Sequence, residues 1–372
     1  MSGARARKRN DHGEMKKLKL IVGDFHLGQG LRLPDGGINP LEDFHHDARF
    51  AEFLEHYTLK EYKGAELELI FNGDMLSLTQ VSYHGHYPSV ITEAVSLYKL
   101  KSVIEGHPDF FETLRDFLVP PNRTLTYIIG NHDQEMAWPQ ARRAFERAVG
   151  KEVQWRNTSY VIDGIHIEHG HQYEAVNHIE VSKLFLSEGL PEPVLNLPWG
   201  TLFTLKYLVR LKTKRPAIDK VRPFKALVFW SLCHDTWMAL ASFATLITYF
   251  AGTRFSKSRY RHSSFRATLK MLKEVTIFPE LSKAAIRILR NPEIHTVVFA
   301  HSHTYKHMTL ADGKDYFNVG TWIDIVSLDL ESYCRRARLT YLKVEYDEED
   351  RPRCLLRYWI GRIPMEEEVF AS

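Results

Sequence analysis

Short apolar runs separated by longer amphipathic stretches organise the first part of the chain. Residues 17–23, 67–71 and 124–129 are runs of β-branched and large apolar residues, and each leads into a glycine or polar turn. Such runs are typical of buried strands. Residues 160–168 have the pattern of a hairpin, and residues 295–299 have that of a further strand. The pattern therefore predicts a series of buried strands before residue 300.

Helical patterns fill the intervals between these runs. Helices are predicted over residues 40–62, 91–118 and 138–149. Strands and helices that alternate in this way indicate an α/β layered fold. Beyond residue 303 the pattern becomes β-rich, and strands completing a second sheet are predicted at residues 315–322, 325–330, 339–346 and 354–360. We therefore predict an α/β fold, with a two-sheet β-sandwich flanked by helices.

Residues 176–291 depart from this scheme, because they are rich in aromatic residues and in long helical patterns. We predict that this segment is a mainly helical insertion or cap. Residues 17–175 and 292–364 would then form the main domain. Residues 1–16 are polar and basic and are predicted to form a flexible tail.

The insertion contains 18 consecutive uncharged residues, 236–253, which is about the shortest length that can span a bilayer. Three interpretations remain open for it. The segment could be a cap that packs on the sandwich, an element that binds an anionic membrane surface through residues 194–260, or a transmembrane hairpin. Basic residues near the apolar stretches, such as Arg210 and Lys214, would suit lipid headgroups.

Composition and charge narrow the functional classes. The net charge of +3, from 49 basic and 46 acidic residues, is too small to indicate a nucleic-acid binder by itself. The three cysteines, Cys233, Cys334 and Cys354, are far apart and form no CxxC pair, which is typical of a reducing compartment. The basic first residues lack the apolar run of a secretory signal. We expect a cytoplasmic protein that could be peripheral on the inner face of the membrane.

Five short motifs carry the candidate chemistry, and each follows a predicted strand. They are Gly23-Asp24-Phe25-His26, Asn72-Gly73-Asp74, Gly130-Asn131-His132-Asp133, His169-Gly170-His171 and Ala300-His301-Ser302-His303. Oxygen and imidazole ligands of this kind suit a pair of Mn, Fe or Zn ions and exclude a soft-metal site. Open α/β sheets commonly place their sites at the carboxyl ends of strands, where these motifs lie.

A two-metal site needs a bridging carboxylate, because one anion between two dications offsets their repulsion. Asp74 is the predicted bridge. The first ion would be held by Asp24, His26 and His303, and the second by Asn131, His169 and His301. A hydroxide between the ions would attack phosphorus in line.

His132 is predicted to face the leaving-group oxygen, where it would protonate that oxygen or stabilise the transition state. Asp133 would accept a hydrogen bond from the other ring nitrogen of His132 and fix the orientation of the ring. His171 is assigned to substrate binding, with a role in supporting the ligands or in the turn after His169 as alternatives.

The order of the motifs resembles that of the calcineurin-like metallophosphoesterase superfamily, and 318–322 (NVGTW) is similar to the closing strand of that family. The resemblance implies a four-layer fold, two divalent metal ions and the ligand assignment given above. Ala300 stands where the family usually has glycine, and Asp74 is followed by Met75-Leu76 instead of the Arg-Gly of protein phosphatases. Among the branches, the chain is similar to the bacterial group that includes UDP-2,3-diacylglucosamine diphosphatase.

These observations predict a phosphoesterase that acts on a phosphoester or pyrophosphate bond, with a lipid-linked or nucleotide-linked substrate. One alternative is a nuclease or phosphodiesterase acting on nucleic acid or a cyclic nucleotide, because residues 254–266 interleave basic and aromatic side chains. Another is a non-catalytic scaffold that retains the fold.

Overall fold

A computed structural model describes residues 17–33, 35–59, 62–222, 224–254, 280–327 and 338–361. Several predicted features lie outside these residues. They are the tail 1–16, most of the basic and aromatic segment 254–266, the end of the predicted strand 325–330, and Cys334.

The described residues form the following elements. The strands are β1 (Lys17–Val22), β2 (Glu66–Asn72), β3 (Arg123–Ile128), β4 (Gln154–Arg156), β5 (Ser159–Ile162), β6 (Ile165–Glu168), β7 (Phe185–Leu186), β8 (Val194–Leu195), β9 (Val221–Arg222), β10 (Thr296–Phe299), β11 (Lys306–Thr309), β12 (Asp315–Asn318), β13 (Val326–Ser327), β14 (Leu339–Tyr346) and β15 (Pro352–Trp359). The α-helices are α1 (Asp47–His56), α2 (Glu93–Gly106), α3 (Pro108–Leu118), α4 (Pro139–Val149), α5 (Trp199–Phe203), α6 (Val209–Lys212), α7 (Phe224–His234), α8 (Thr236–Arg254) and α9 (Leu281–Leu289). Short 3₁₀ turns cover Leu78–Gln80, Gln134–Ala137, His171–Tyr173 and Val181–Lys183, and a π turn covers Thr204–Leu208.

Two sheets form the centre of the fold. The first has the strand order β15-β14-β1-β2-β3-β4, and the second has the order β11-β12-β10-β6-β5. Strands β1 to β4 pair in parallel, as do β6, β10 and β12. Parallel strands place their carboxyl ends at one edge of a sheet, so this topology gathers the turns that follow them.

The side chains of the central strands alternate between two apolar layers. Leu20 and Leu69 of the first sheet pack against helices α1 to α4, whereas Ile21 and Ile70 pack between the two sheets against residues such as Val298. On the outer face of the second sheet, α9 packs on β10 and β12. The chain therefore has the predicted α/β fold, with two sheets flanked by helices in four layers.

The structure corrects three details of the predicted elements. Strands β13, β14 and β15 were expected in the second sheet, but β13 pairs with β9, while β14 pairs with β1 and extends the first sheet. The helix predicted over residues 91–118 is two helices, because Pro108 has no N–H to donate and starts α3 directly after His107. The helix predicted over residues 40–62 is limited to α1.

The described part of the predicted insertion, residues 176–291, is mainly helical and packs against the rest of the fold. Leu195, Leu197 and Leu205 belong to the apolar core under α1 to α4. Strand β9 of the insertion pairs in parallel with β13. Among the described residues, no helix combines the length and the apolar character needed to cross a bilayer.

Candidate metal centre

The five motifs meet at one edge of the sandwich. Asp24, Asp74 and Asn131 follow the parallel strands β1, β2 and β3, while His169 and His301 follow the parallel neighbours β6 and β10 of the other sheet. The backbone joins the two halves, because the His301 N–H donates to Asp24 Oδ2 (2.7 Å). The carboxyl ends of both sheets therefore contribute to a single site.

One group of donor atoms contains Asp24, His26 and His303. His303 Nε2 lies 3.0 Å from His26 Nε2 and 3.3 Å from Asp24 Oδ1. Two ligands that each bind an ion at about 2.1 Å are about 3.0–3.4 Å apart. The spacing of this group therefore suits a shared divalent ion.

A second group contains Asp74, His169 and His301, and Asn131 adjoins it. The Nδ1 of His169 faces the Asn72 carbonyl at 2.8 Å, so a neutral ring donates there and keeps its lone pair on Nε2. That lone pair faces Asp74 Oδ2 (3.1 Å) and Asn131 Oδ1 (3.2 Å). Three electron pairs that converge in this way are favourable only when a cation or a proton lies between them.

The two aspartates pass a direct test of this interpretation. One oxygen of each accepts a backbone N–H, since Asp24 Oδ2 bonds His301 and Asp74 Oδ1 bonds His132. The other oxygen of each, Asp24 Oδ1 and Asp74 Oδ2, is buried and faces an imidazole nitrogen, that of His303 at 3.3 Å and that of His169 at 3.1 Å. A buried carboxylate oxygen that faces the lone pair of a neutral imidazole is costly unless a metal ion or a proton lies between the two atoms. The donor set therefore fits two divalent ions, and Asp74 would help to hold both of them.

Backbone strain is concentrated in the same residues. Eight described residues other than glycine have positive φ, and five of them are predicted ligands: Asp24, His26, Asp74, His301 and His303, with φ between 51° and 67°. A residue with a side chain rarely adopts this conformation, and such strain is concentrated at functional sites. The turns are therefore shaped by the placement of the ligands and not by local preference.

The charges of the site support one another. Although burial alone would raise it, the pKa of Asp74 is held well below its usual range, chiefly by the facing His169. Asp74 in turn overcomes the effect of burial on His169 and raises the pKa of that imidazole to about 10. In the absence of metal, the carboxylate therefore favours a positive charge at the position where a cation would bind.

The expected hydrogen bond between His132 and Asp133 is wrong. Asp133 points away from the ring and accepts from the Tyr127 hydroxyl (2.7 Å) and from the Gly130 and Met75 N–H groups (2.6 and 3.0 Å). Donors from β3, from the turn after β3 and from the turn after β2 hold the Asp133 carboxylate, so this residue joins neighbouring turns instead of orienting the imidazole.

His132 is positioned by two hydroxyl groups that the sequence did not suggest. Its Nδ1 lies 3.1 Å from Thr79 Oγ1 and 3.4 Å from Ser77 Oγ. Burial and the neighbouring His26 lower the pKa of His132 to about 3, against the opposing effect of Asp74. In the substrate-free site the ring is therefore neutral. His132 also forms a group of donor atoms with His26 and Asp74, beside both predicted ligand sets.

His171 and Glu174 lie on the outer side of the second group. The His171 ring is 5.4 Å from that of His169, and its buried Nδ1 has no partner among the described residues. A cavity of about 40 Å³ adjoins it, lined by residues that include Gln134 and Asn157. Glu174 Oε2 lies 2.9 Å from His301 Nε2. Sequence reasoning missed Glu174 because it follows no strand and belongs to no motif.

Comparisons with known proteins add a limited result. No protein family and no curated protein sequence matches the chain. Similar solved structures include a dimetal phosphatase from Danio rerio (8% identity, TM-score 0.38), which covers 94% of this chain and 98% of its own. A single mutant of Vps29 from Entamoeba histolytica (9%, TM-score 0.29) covers 92% and 98%. A predicted phosphoesterase from Streptococcus pneumoniae TIGR4 (9%, TM-score 0.27) covers 93% and 99%. At these scores, functional inference rests on the motifs and the geometry of the site.

Proposed function

We propose that this chain hydrolyses phosphoester or pyrophosphate bonds with the help of two divalent metal ions. The observation that carries the proposal is the position of Asp74 Oδ2. This oxygen lies 3.1 Å from His169 Nε2 in one ligand group and 3.9 Å from His26 Nε2 in the other. When bound, the ions would supply Lewis acidity at the phosphoryl oxygens and activate the attacking water. Mn is our first choice, although the same ligands accept Fe or Zn.

Two groups of residues would hold the metal ions, and a further residue would act on the leaving group. Asp24, His26 and His303 would hold one ion, and Asn131, His169 and His301 the other, with Asp74 shared. His132 stands beside both groups as a neutral imidazole. Its N–H would donate to the leaving-group oxygen and stabilise charge that develops there.

The test is Mn-dependent cleavage of bis-p-nitrophenyl phosphate and p-nitrophenyl phosphate. Asp74→Ala and Asn131→Ala should abolish the activity and lower the Mn content. Asp312→Ala, which alters an exposed turn, is the matched control and should leave both unchanged. Full activity in both site variants would contradict the proposal. Metal binding without activity on any phosphoester would favour a non-catalytic scaffold, and preferential cleavage of DNA would favour the nuclease alternative.

We further propose a lipid-linked or nucleotide-linked substrate and a membrane surface as partner. Support comes from the paired helices α7 and α8. Phe229, Trp237 and Phe243 expose 71%, 84% and 60% of their surfaces. Soluble proteins rarely expose such a concentration of large apolar side chains without a partner. Aromatic side chains favour the interfacial zone of a bilayer, and exposed Arg210, Lys214 and Arg215 in the preceding segment would meet anionic headgroups.

Point substitutions test this partner better than deletion of residues 194–260 would, because Leu195 and Leu205 belong to the main core. The triple variant that combines Phe229→Ser, Trp237→Ser and Phe243→Ser should no longer co-sediment with phosphatidylglycerol vesicles. Val119→Ser is the matched control. It removes an exposed apolar side chain that is distant in sequence from α7 and α8, and it should not affect vesicle binding. Unchanged sedimentation of the triple variant would contradict a membrane role for α7 and α8.

A further inference from the structure

Glu174 is a buried carboxylate that stands directly behind a predicted metal ligand. Its side chain is 10% exposed, and Oε2 lies 2.9 Å from His301 Nε2. The resemblance that identifies His301 assigns no role to this glutamate, which lies five residues after His169 and two residues before the predicted insertion.

The surroundings of Glu174 hold its carboxylate in place. Asn177 Nδ2 donates to the same Oε2 at 2.7 Å. The backbone carbonyl of Glu174 accepts from Asn177 N (3.1 Å) and His178 N (2.9 Å), which fixes a tight turn. That turn is braced by the insertion, because Gly200 N donates to Val176 O at 2.7 Å. The carboxylate is therefore a rigid partner for the imidazole.

The tautomer of the neutral His301 imidazole determines which ring nitrogen can bind the metal ion. Such a ring has one N–H and one lone pair, on opposite nitrogens. If Nε2–H donates to Glu174, the lone pair lies on Nδ1 and is available to the second ion. A carboxylate that accepts from a ligating histidine fixes its tautomer and increases its basicity.

We propose that Glu174 is a positioning residue for the second metal ion, and that it acts by holding His301. The donor atoms of Asp74, His169 and His301 group together without Glu174, so the carboxylate supports the ligand instead of joining it. This inference rests on the proposed two-metal site. It implies that the insertion contributes to metal affinity as well as to whatever it binds.

The test measures Mn binding by calorimetry and the spin-coupled Mn pair by electron paramagnetic resonance. Glu174→Gln keeps the shape of the side chain and should weaken the second ion about 10- to 100-fold, with little change at the first. The coupled spectrum should give way to that of a single Mn at the same metal concentration. Asn177→Ala should cause a smaller loss in the same direction, because it removes the support of the carboxylate.

Glu180→Gln, an exposed carboxylate paired with Lys183, is the matched control. Wild-type affinity for both ions in Glu174→Gln would overturn the inference, and so would an equal loss at both sites, which would indicate general structural damage. Failure of the unaltered protein to bind a pair of Mn ions would contradict the proposed function itself, so the two results are distinguishable.

Discussion

The Nε2 atom of His169 lies 3.1 Å from Asp74 Oδ2, and both groups are fully buried. Neither atom can form this contact favourably without a proton or a cation between them. The short distance between these two atoms therefore indicates that a positive charge is needed at the centre of the site.

Gly73 makes this contact possible, which leads to the first prediction. It has a φ of +79°, and a β-carbon there would overlap the His169 ring. Gly73→Ala should displace the imidazole and weaken the second metal site at least about tenfold, as expected for a disturbed ligand. Gly64→Ala is the matched control, because Gly64 has a φ of +84° but open space around it. Equal Mn affinity in the two variants would show that the overlap with the His169 ring does not affect metal binding.

His132 should matter for turnover more than for metal content. His132→Gln is expected to lower kcat about 10²- to 10³-fold, the usual contribution of a hydrogen-bond donor that stabilises developing charge. The loss should be larger for phenyl than for p-nitrophenyl esters, because the poorer leaving group needs more stabilisation. Thr79→Val should give a smaller loss, since it removes one contact of the ring. A loss of Mn in proportion to the loss of activity would instead identify His132 as a ligand.

A buried ionic cluster should control the attachment of the insertion. Asp43 contacts Lys212 Nζ at 2.7 Å and Lys220 Nζ at 2.8 Å, and Lys212 is completely buried. Asp43→Asn should lower the free energy of unfolding by at most about 3–5 kcal/mol, because it removes the carboxylate shared by two lysines while Lys212 keeps Asp219 at 2.7 Å. Urea unfolding measures this change. Asp235→Asn, which breaks the exposed pair with Arg215, should cost less than about 1 kcal/mol.

His107 should make stability depend on pH. Burial opposes its protonation, but Asp47 and Glu42 outweigh this and raise its pKa to about 9. Because the folded pKa exceeds the unfolded value of about 6.5, the stabilisation is complete below pH 6.5 and is lost as pH rises towards 9. The shift corresponds to at most about 3 kcal/mol. Urea unfolding from pH 6 to 9 should therefore show a smaller loss in His107→Gln than in the unaltered protein, and equal slopes would contradict this assignment.

The sequence was informative where local pattern and chemistry coincide. The runs that became β1, β2 and β3 were predicted because each combines β-branched residues with a turn, and their ligands meet because the strands are parallel. The pairing of β14 with β1 was not predictable, because no local feature specifies the partner of a strand. Hairpin β14–β15 could have extended either sheet.

Contacts between side chains that are far apart in the sequence could not be predicted from the sequence either. Asp133 adjoins His132 along the chain, yet donors from Tyr127, Gly130 and Met75 hold it elsewhere. Conversely, Thr79 and Glu174 contact catalytic or ligand candidates without belonging to any motif. Only the folded arrangement could identify these residues.

The left-handed backbone of the five ligand residues has an evolutionary consequence. At Asp24, His26, Asp74, His301 and His303, glycine would relieve conformational energy of about 1–3 kcal/mol per position. A library randomised at these positions can be selected for thermal stability in the presence of a metal chelator and then sequenced. Glycine or asparagine should be enriched at the five positions. Retention of the five side chains would then reflect a requirement for metal binding, because backbone conformation alone favours glycine at these positions.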